Sequence, residues 1–242
     1  MKVIVFADGI VGYQITEFLL KHYQKDIFKV VTLTKNEISS LAKKYLVSTF
    51  AIDVSNPNCI EIDERVDLGI LAWWPKIINS NLIKISINGF INLHPSLLPN
   101  NRGKHPNFWA IVEERTFGVS IHKVDNEIDS GPLISQERIE YDWVDTGETL
   151  YLKAQRVIVD LFKKTYPSIV NGKYQLQTQE LNRGTFHTAS EIEMASKIRL
   201  DQLYKAKDLL NLLRARTFPG YPACWFEDGA SKYEVTVNIR KI

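Results

Sequence analysis

The chain has little cysteine, little net charge and no long apolar run. Its 242 residues include two cysteines, Cys59 and Cys224, far apart and outside any CxxC spacing. That argues against a disulfide framework and a cysteine-built zinc site, and makes a reducing compartment, the cytoplasm, the expected location. Lysine and arginine total 30 against 28 acidic residues, a formal charge of +2. A surface built to grip a nucleic-acid backbone would carry a clear basic excess, so nucleic acid is not an expected partner. No stretch approaches the roughly 18 apolar residues of a membrane-spanning helix, so no membrane association is expected. The opening MKVIVFADGIVGYQITEFLL is interrupted by Asp8 and Glu17 and no small-residue cleavage site follows, unlike a signal peptide.

Apolar residues make up 45% of the chain and charged ones 24%, enough to build a core without a metal or disulfide staple. The length suits one large domain with an appendage. Lys2–Ala7, Phe28–Leu33 and Leu68–Trp73 read as buried strands, and Val11–Tyr23 and Ile38–Tyr45 as helices, with a polar loop at Asn56–Asp67. This alternation predicts a parallel α/β sheet with crossover helices. Phe90–Leu93, Gly118–Val124 and Leu133–Tyr141 read as further strands, and Asn107–Glu114 as a helix. Thr146-x-x-Thr149 opens a long helix through Tyr166, and Pro167 marks a change of character. Beyond it, Leu203–Ala215 predicts a helix and Phe218–Tyr221 a turn. Ala223–Phe226 and Tyr233–Ile239 predict a hairpin closed by Glu227-Asp228-Gly229. The boundary falls near 170–185, giving a domain over 1–180 and an extension over 181–242.

Three segments carry chemistry. The first, Ala7-Asp8-Gly9-Ile10-Val11-Gly12, joins a strand to a helix. It lacks the first glycine of a dinucleotide fingerprint, and no acid follows Thr34-Lys35 to hold a ribose. A tight βα turn is the favoured reading, with a helix N-terminus that helps hold an anion as another. The second segment is Asn92-Leu93-His94-Pro95-Ser96-Leu97-Leu98-Pro99-Asn100-Asn101-Arg102-Gly103. Asn92 and His94, two apart at a strand end, project to one side of the sheet, where open α/β folds bind ligands. An amide and an imidazole there can donate to an oxygen that gains negative charge, and the imidazole can move protons. A structural histidine before proline is the competing reading. The third segment is Asp125-Asn126-Glu127-Ile128-Asp129-Ser130-Gly131-Pro132, where a sharp bend after Asp129 could aim its carboxylate at the imidazole. A solvated acidic loop suits Asp125 and Glu127 better than Asp129. A zinc site from His94, His122 and Asp129 lacks any standard ligand spacing, so no metal is expected.

The run N-L-H-P-S-L-L-P-x-x-R-G followed by D-N-E-I-D-S-G-P resembles the formyltransferases that use N10-formyltetrahydrofolate, over about 68–160. That family includes methionyl-tRNA, glycinamide ribonucleotide and sugar N-formyltransferases. The resemblance implies an open, mostly parallel Rossmann-like sheet with helices on both faces, here followed by a small helix-and-hairpin extension. It implies a catalytic set of Asn92, His94 and Asp129, and N10-formyltetrahydrofolate held near Leu71, Trp73, Trp74, Asn126, Glu127 and Ile128. A substrate amine would attack the formyl carbon, Asn92 and His94 would stabilise the charged oxygen, and Asp129 would hold His94 and help take the amine proton.

The block R-A-R-T-F-P-G-Y-P-A over 214–223 resembles the C-terminal region of the sugar enzymes, departing where Ala223-Cys224 replaces a common Gly-Ala. The first loop is not the phosphate loop of a glycinamide ribonucleotide enzyme. The tail is too short for the barrel of a tRNA enzyme. The resemblance therefore implies a nucleotide-linked amino sugar as substrate, dTDP-4-amino-4,6-dideoxyglucose first, for bacterial O-antigen or surface polysaccharide, and a homodimer. Substrate contacts are expected from Asp8, Gly9, Trp74, Lys76, Pro95, Ser96, Arg102, Phe218, Tyr221 and Trp225. Lys76 is read either as a partner for a diphosphate or as a solvated lysine at a helix start. Phe218, Tyr221, Trp225 and Phe226 could form an aromatic face for a base or be core residues. A GDP- or UDP-linked amino sugar, methionyl-tRNA, and a non-catalytic nucleotide- or folate-binding module are the competing readings.

Overall fold

A computed structural model describes residues 1–52 and 64–242. Cys59 and most of the polar stretch Asn56–Asp67 lie outside the described residues. In chain order the elements are β1 (Val3–Ala7), α1 (Gly9–Tyr23), β2 (Ile27–Thr32), α2 (Glu37–Lys44), β3 (Ser48–Ala51), β4 (Leu68–Ala72), α3 (Ser80–Lys84) and β5 (Phe90–His94). Then come β6 (Arg102–Gly103), α4 (Pro106–Val112), β7 (Phe117–Lys123), β8 (Leu133–Ile139) and α5 (Gly147–Val170). The chain ends with β9 (Phe186–His187), α6 (Glu191–Ala195), α7 (Ala206–Arg216), β10 (Cys224–Asp228) and β11 (Ser231–Val235).

The described residues form a seven-stranded sheet in the order β3-β2-β1-β4-β5-β7-β8. From β3 to β5 every pairing is parallel, and β5 and β7 pair antiparallel. The expected mostly parallel Rossmann-like α/β sheet is therefore what forms. The all-apolar runs of β1 and β4 are buried at every position, as central parallel strands must be. Gly12 explains how α1 lies so close to the sheet: a Cβ there would sit 3.0–3.1 Å from Ala7 and the Ala72 carbonyl. That glycine serves helix–strand packing, which agrees with the tight-turn reading of the first loop.

The chain divides into two compact units, each made of three segments. One holds Met1–His94, Ser120–Gln136 and Gln155–Gln179; the other holds Pro95–Val119, Glu137–Ala154 and Glu180–Ile242.

Four local expectations need correction. β3 was not anticipated: it is a short edge strand whose half-exposed pattern leaves no apolar run to read. The long helix does not stop at Pro167 but continues to Val170. Proline forfeits one backbone bond there, yet Phe162, Tyr166 and Ile169 keep a buried stripe going past it. The hairpin's second strand begins at Ser231, not Tyr233, because Gly229 at φ 60° allows a two-residue turn with Asp228 opposite Ser231. Finally, Lys76 is not at a helix start. It lies exposed in the loop after β4, and α3 begins at Ser80, capped by the Asn79 side chain on the Leu82 N–H at 2.8 Å.

Candidate functional site

β5 and β7 build the centre of the site. Their antiparallel register sets Asn92 opposite His122 and His94 opposite Ser120. Side chains two apart on β5 share a face, so Asn92 and His94 project together at the carboxyl end of that strand. The bend after β7 returns Asp129 to them. Its carboxylate meets three groups: Asn92 Nδ2 donates to Oδ1 at 3.2 Å, His94 Nδ1 lies 3.4 Å from Oδ2, and His122 Nε2 lies 3.5 Å from Oδ1. His94 and His122 are buried, at 5% and 2% exposure, so these interactions act with little screening by solvent.

Hydrogen-bond chemistry fixes the orientations. His122 Nδ1 is 2.7 Å from the Lys123 carbonyl, which can only accept, so Nδ1 carries the proton. In the neutral ring Nε2 then offers a lone pair to Asn92 Nδ2, 3.3 Å away. Flipping the Asn92 amide would turn its oxygen toward both the carboxylate and that lone pair, so the amide nitrogen belongs where it is. His94 likewise presents Nδ1–H to Asp129. In its neutral form Nε2 is then the proton acceptor, and in its charged form Nε2–H is a donor.

The expected set Asn92, His94 and Asp129 is thus one cluster. His122, which the sequence offers only as a metal ligand, is its fourth member. The signal was available: a second histidine sits on the strand that leads directly into the acidic bend. Among the described residues no group of three His, Cys, Asp or Glu side chains is arranged to hold a metal ion.

The residues around β4 divide in role. Leu71 lies beside Asn92 in register, and together with the half-buried Trp74 it belongs to the hydrophobic cluster of Ile4, Phe6, Val31 and Phe90. The Trp74 ring meets Phe6 edge-on at 5.4 Å. Trp73 differs: it is half-buried and adopts φ 59°, unusual for a bulky residue, right at the strand end. Asn126, Glu127 and Ile128 are exposed on the loop that carries Asp129. Asp8 precedes α1 without a side-chain capping bond, and burial raises its carboxyl above the usual range, against the pull of the Gly9 backbone N–H. Gly9 follows at φ 60°.

Pro95, Ser96, Arg102, Phe218, Tyr221 and Trp225 belong to the other compact unit. Ser96 Oγ donates to the Asn100 carbonyl at 2.8 Å, within its own loop. Arg102 lies over the Phe186 ring at 5.8 Å, and its Nε is buried without a hydrogen-bond partner. Phe218 packs on Tyr221 at 4.7 Å and Tyr151 at 5.5 Å, so these two candidates do meet. Trp225 and Phe226 do not join them. Trp225 lies under Lys232 at 3.8 Å and Lys197 at 4.6 Å, and Phe226 stacks on Tyr233. Hairpin alternation sends Trp225 and Phe226, successive on β10, to opposite faces.

Arg214 anchors the 214–223 block. Its Nη1 donates to the carbonyls of Asp142 at 2.6 Å and Asp145 at 3.0 Å, and its Nε to Asn211 Oδ1 at 2.9 Å. Its guanidinium also lies 4.9 Å from the Trp143 ring.

A catalytic-type cluster at the carboxyl end of a mostly parallel sheet defines an α/β enzyme class. Comparison with known proteins narrows it. Residues 57–165 match the formyl transferase family, and residues 191–241 match the N-formyltransferase dimerization C-terminal domain. Residues 57–165 thus belong to the formyl transferase family. The chain is 30% identical over 233 residues to the bifunctional polymyxin resistance protein ArnA of Wigglesworthia glossinidia brevipalpis, covering 90% of this chain and 35% of that protein. It is 28% identical over 149 residues to a dTDP-4-amino-4,6-dideoxyglucose formyltransferase of Mycobacterium bovis, covering 62% of this chain and 63% of that one. The chain thus spans less than two thirds of the length of either relative. A 4-N formyltransferase structure from Francisella tularensis superposes with a TM-score of 0.82 at 27% identity, covering 100% of this chain and 98% of that one.

Proposed function

We propose that this protein transfers a formyl group from N10-formyltetrahydrofolate to the amine of a nucleotide-linked amino sugar. The first candidate is dTDP-4-amino-4,6-dideoxyglucose, on the route to a bacterial surface polysaccharide such as O-antigen. The observation that carries this reading is the Asp129 carboxylate held between Asn92 Nδ2 and His94 Nδ1, at 3.2 and 3.4 Å. The residues present fit the donor: the half-buried Trp73 indole and the exposed Asn126–Ile128 loop edge offer the flat aromatic surface and polar backbone that a pterin needs.

The donor, when bound, supplies a formyl carbon open to attack by an amine. His94 does the proton work. Asp129 on Nδ1 keeps the other nitrogen, Nε2, pointed at the reacting groups, where it would accept the amine proton, stabilise the charged oxygen as Nε2–H, and pass that proton to the donor nitrogen as its bond to the formyl carbon breaks. Asn92 is the second donor to that oxygen, swinging one N–H from His122 or Asp129 as charge develops. Asp8, Gly9, Trp74, Lys76, Pro95, Ser96, Arg102, Phe218, Tyr221 and Trp225 are assigned to the nucleotide sugar.

In this reading residues 1–180 form the catalytic domain and 181–242 the extension. The enzyme works in the cytoplasm as a homodimer through the extension, in keeping with the family matched at 191–241. A panel of dTDP-, UDP- and GDP-linked amino sugars incubated with the formyl donor tests the proposal through tetrahydrofolate release. Turnover of a dTDP-amino sugar is expected; no turnover across the panel would sink the reading.

A further inference from the structure

Asp129 adopts φ 53°, a left-handed backbone that a non-glycine residue keeps only when its neighbours hold it. Two neighbours do. On one side Gly131 packs so closely on the Lys123 carbonyl that any Cβ would collide with it, and the Lys123 N–H donates to the Pro132 carbonyl at 2.9 Å. On the other side is Gln179. The chain reaches this place because Gln177 and Leu133 exchange backbone hydrogen bonds at 2.8 and 2.9 Å. Two residues further on, Gln179 Nε2 donates to the carbonyl of Asp129 at 2.9 Å and to that of Gly131 at 2.6 Å.

Gln179 is 7% exposed, and its amide orientation is settled by its partners. Both are carbonyls, which only accept, so a flipped amide would bring three oxygens together. Its Oε1 is buried without a hydrogen-bond partner, so the side chain is held through its donor end alone. Both N–H groups of one buried amide therefore fasten the bend that aims the Asp129 carboxylate at His94 and Asn92.

We propose that Gln179 is a positioning residue: by clamping the carbonyls of Asp129 and Gly131 it sets the reach of the Asp129 carboxylate to His94. This rests on the formyl-transfer roles given above to Asn92, His94 and Asp129. Without the clamp the Asp129 and Gly131 carbonyls lose the Gln179 donor, the left-handed bend relaxes, and the carboxylate drifts from the imidazole while the substrate contacts stay in place.

The test compares the full-length wild type with Gln179→Met, which keeps the shape and removes the donors. Gln179→Asn, with donors on a shorter arm, is the folded comparison should the methionine variant not fold. For Gln179→Met we expect kcat to fall by about tenfold to a hundredfold, the scale of a small misplacement of a reacting group. KM for donor and amino sugar should stay within about threefold, since ground-state binding is untouched. The low-pH limb of the kcat profile should move to lower pH, because an imidazole further from its carboxylate holds a proton less firmly. A ring-carbon NMR titration of the histidines needs no turnover. His94 should titrate at lower pH in Gln179→Met, in the same direction as in Asp129→Asn; Gln179→Asn should give smaller changes of the same sign. Wild-type kcat in the variants, or a loss of kcat with pH limb and His94 titration unmoved, overturns the proposal. If the wild type formylates no amino sugar, the formyl-transfer reading fails, and the NMR comparison alone decides whether Gln179 holds Asp129.

Discussion

Asn92 and His122 face each other across the β5–β7 pair, with the amide nitrogen 3.3 Å from the imidazole Nε2. Because His122 Nδ1 donates to the Lys123 carbonyl, the ring gives the Asn92 amide an acceptor and so fixes which end of it points at Asp129. His122→Leu should free that amide to flip. We expect kcat to fall between about tenfold and a hundredfold in steady-state assays. His122→Gln, whose side-chain oxygen can accept in the same place, should recover part of the loss. Equal kcat for wild type and His122→Leu would remove His122 from the site.

His94→Asn and Asp129→Asn should each reduce turnover by about 100-fold or more, the usual range for removing a general acid–base group or its partner. Asp129→Asn is the sharper probe, since it keeps the side-chain shape and deletes the charge. Circular dichroism spectra matching wild type would confine the effect to chemistry. Near-normal rates in either variant would refute the assigned roles.

Glu191 should contribute to acid sensitivity. The Thr188 backbone N–H, then the His187 ring and the Thr188 hydroxyl, hold its carboxyl down to about 2. A folded value below the unfolded one means the stabilisation is complete above about 4.5 and is lost as pH falls toward about 2. His187 lies between Glu191 at 3.0 Å and Glu113 at 2.9 Å and stacks on Trp109, so this carboxylate helps pin β9. Thermal melts from pH 5 to pH 2 should show a shallower loss of Tm in Glu191→Gln than in wild type. Parallel curves would contradict the assignment.

Arg214→Lys should destabilise the fold by roughly 3 kcal/mol, because an ammonium cannot reach two carbonyls and an amide in one plane. The drop should appear in chemical denaturation while the slope against denaturant stays constant. A change under 0.5 kcal/mol would mean that the hydrogen bonds to Asp142 and Asp145 are replaceable by water.

Much of this architecture was legible because burial leaves a periodic trace. β1 and β4 are continuous apolar runs, and α1 shows its stripe at Val11, Ile15 and Leu19. Asn92 and His94 were readable as a pair because a strand's period of two puts them on one face. His122 and Gln179 were harder. Each joins the cluster through a register set by non-local pairing, Asn92 with His122 and Leu133 with Gln177, and no local spacing encodes that. β3 escaped notice for the opposite reason: an edge strand keeps its solvent-facing polar residues and so resembles a loop.

The antiparallel pairing of β5 with β7 also governs which insertions and deletions the site can survive. Side chains alternate sides, so moving β7 along β5 by one position would send His122 to the opposite side from Asn92. A slip of two would restore the side but place Ser120 or Val124 where His122 belongs. Length changes confined to the chain between the two strands leave the register to the strands themselves. A single residue added within Ser120–Lys123 would shift the cross-strand partners on one side of it or force a bulge into the pair. Homologous sequences aligned on this protein should therefore carry their gaps outside β7.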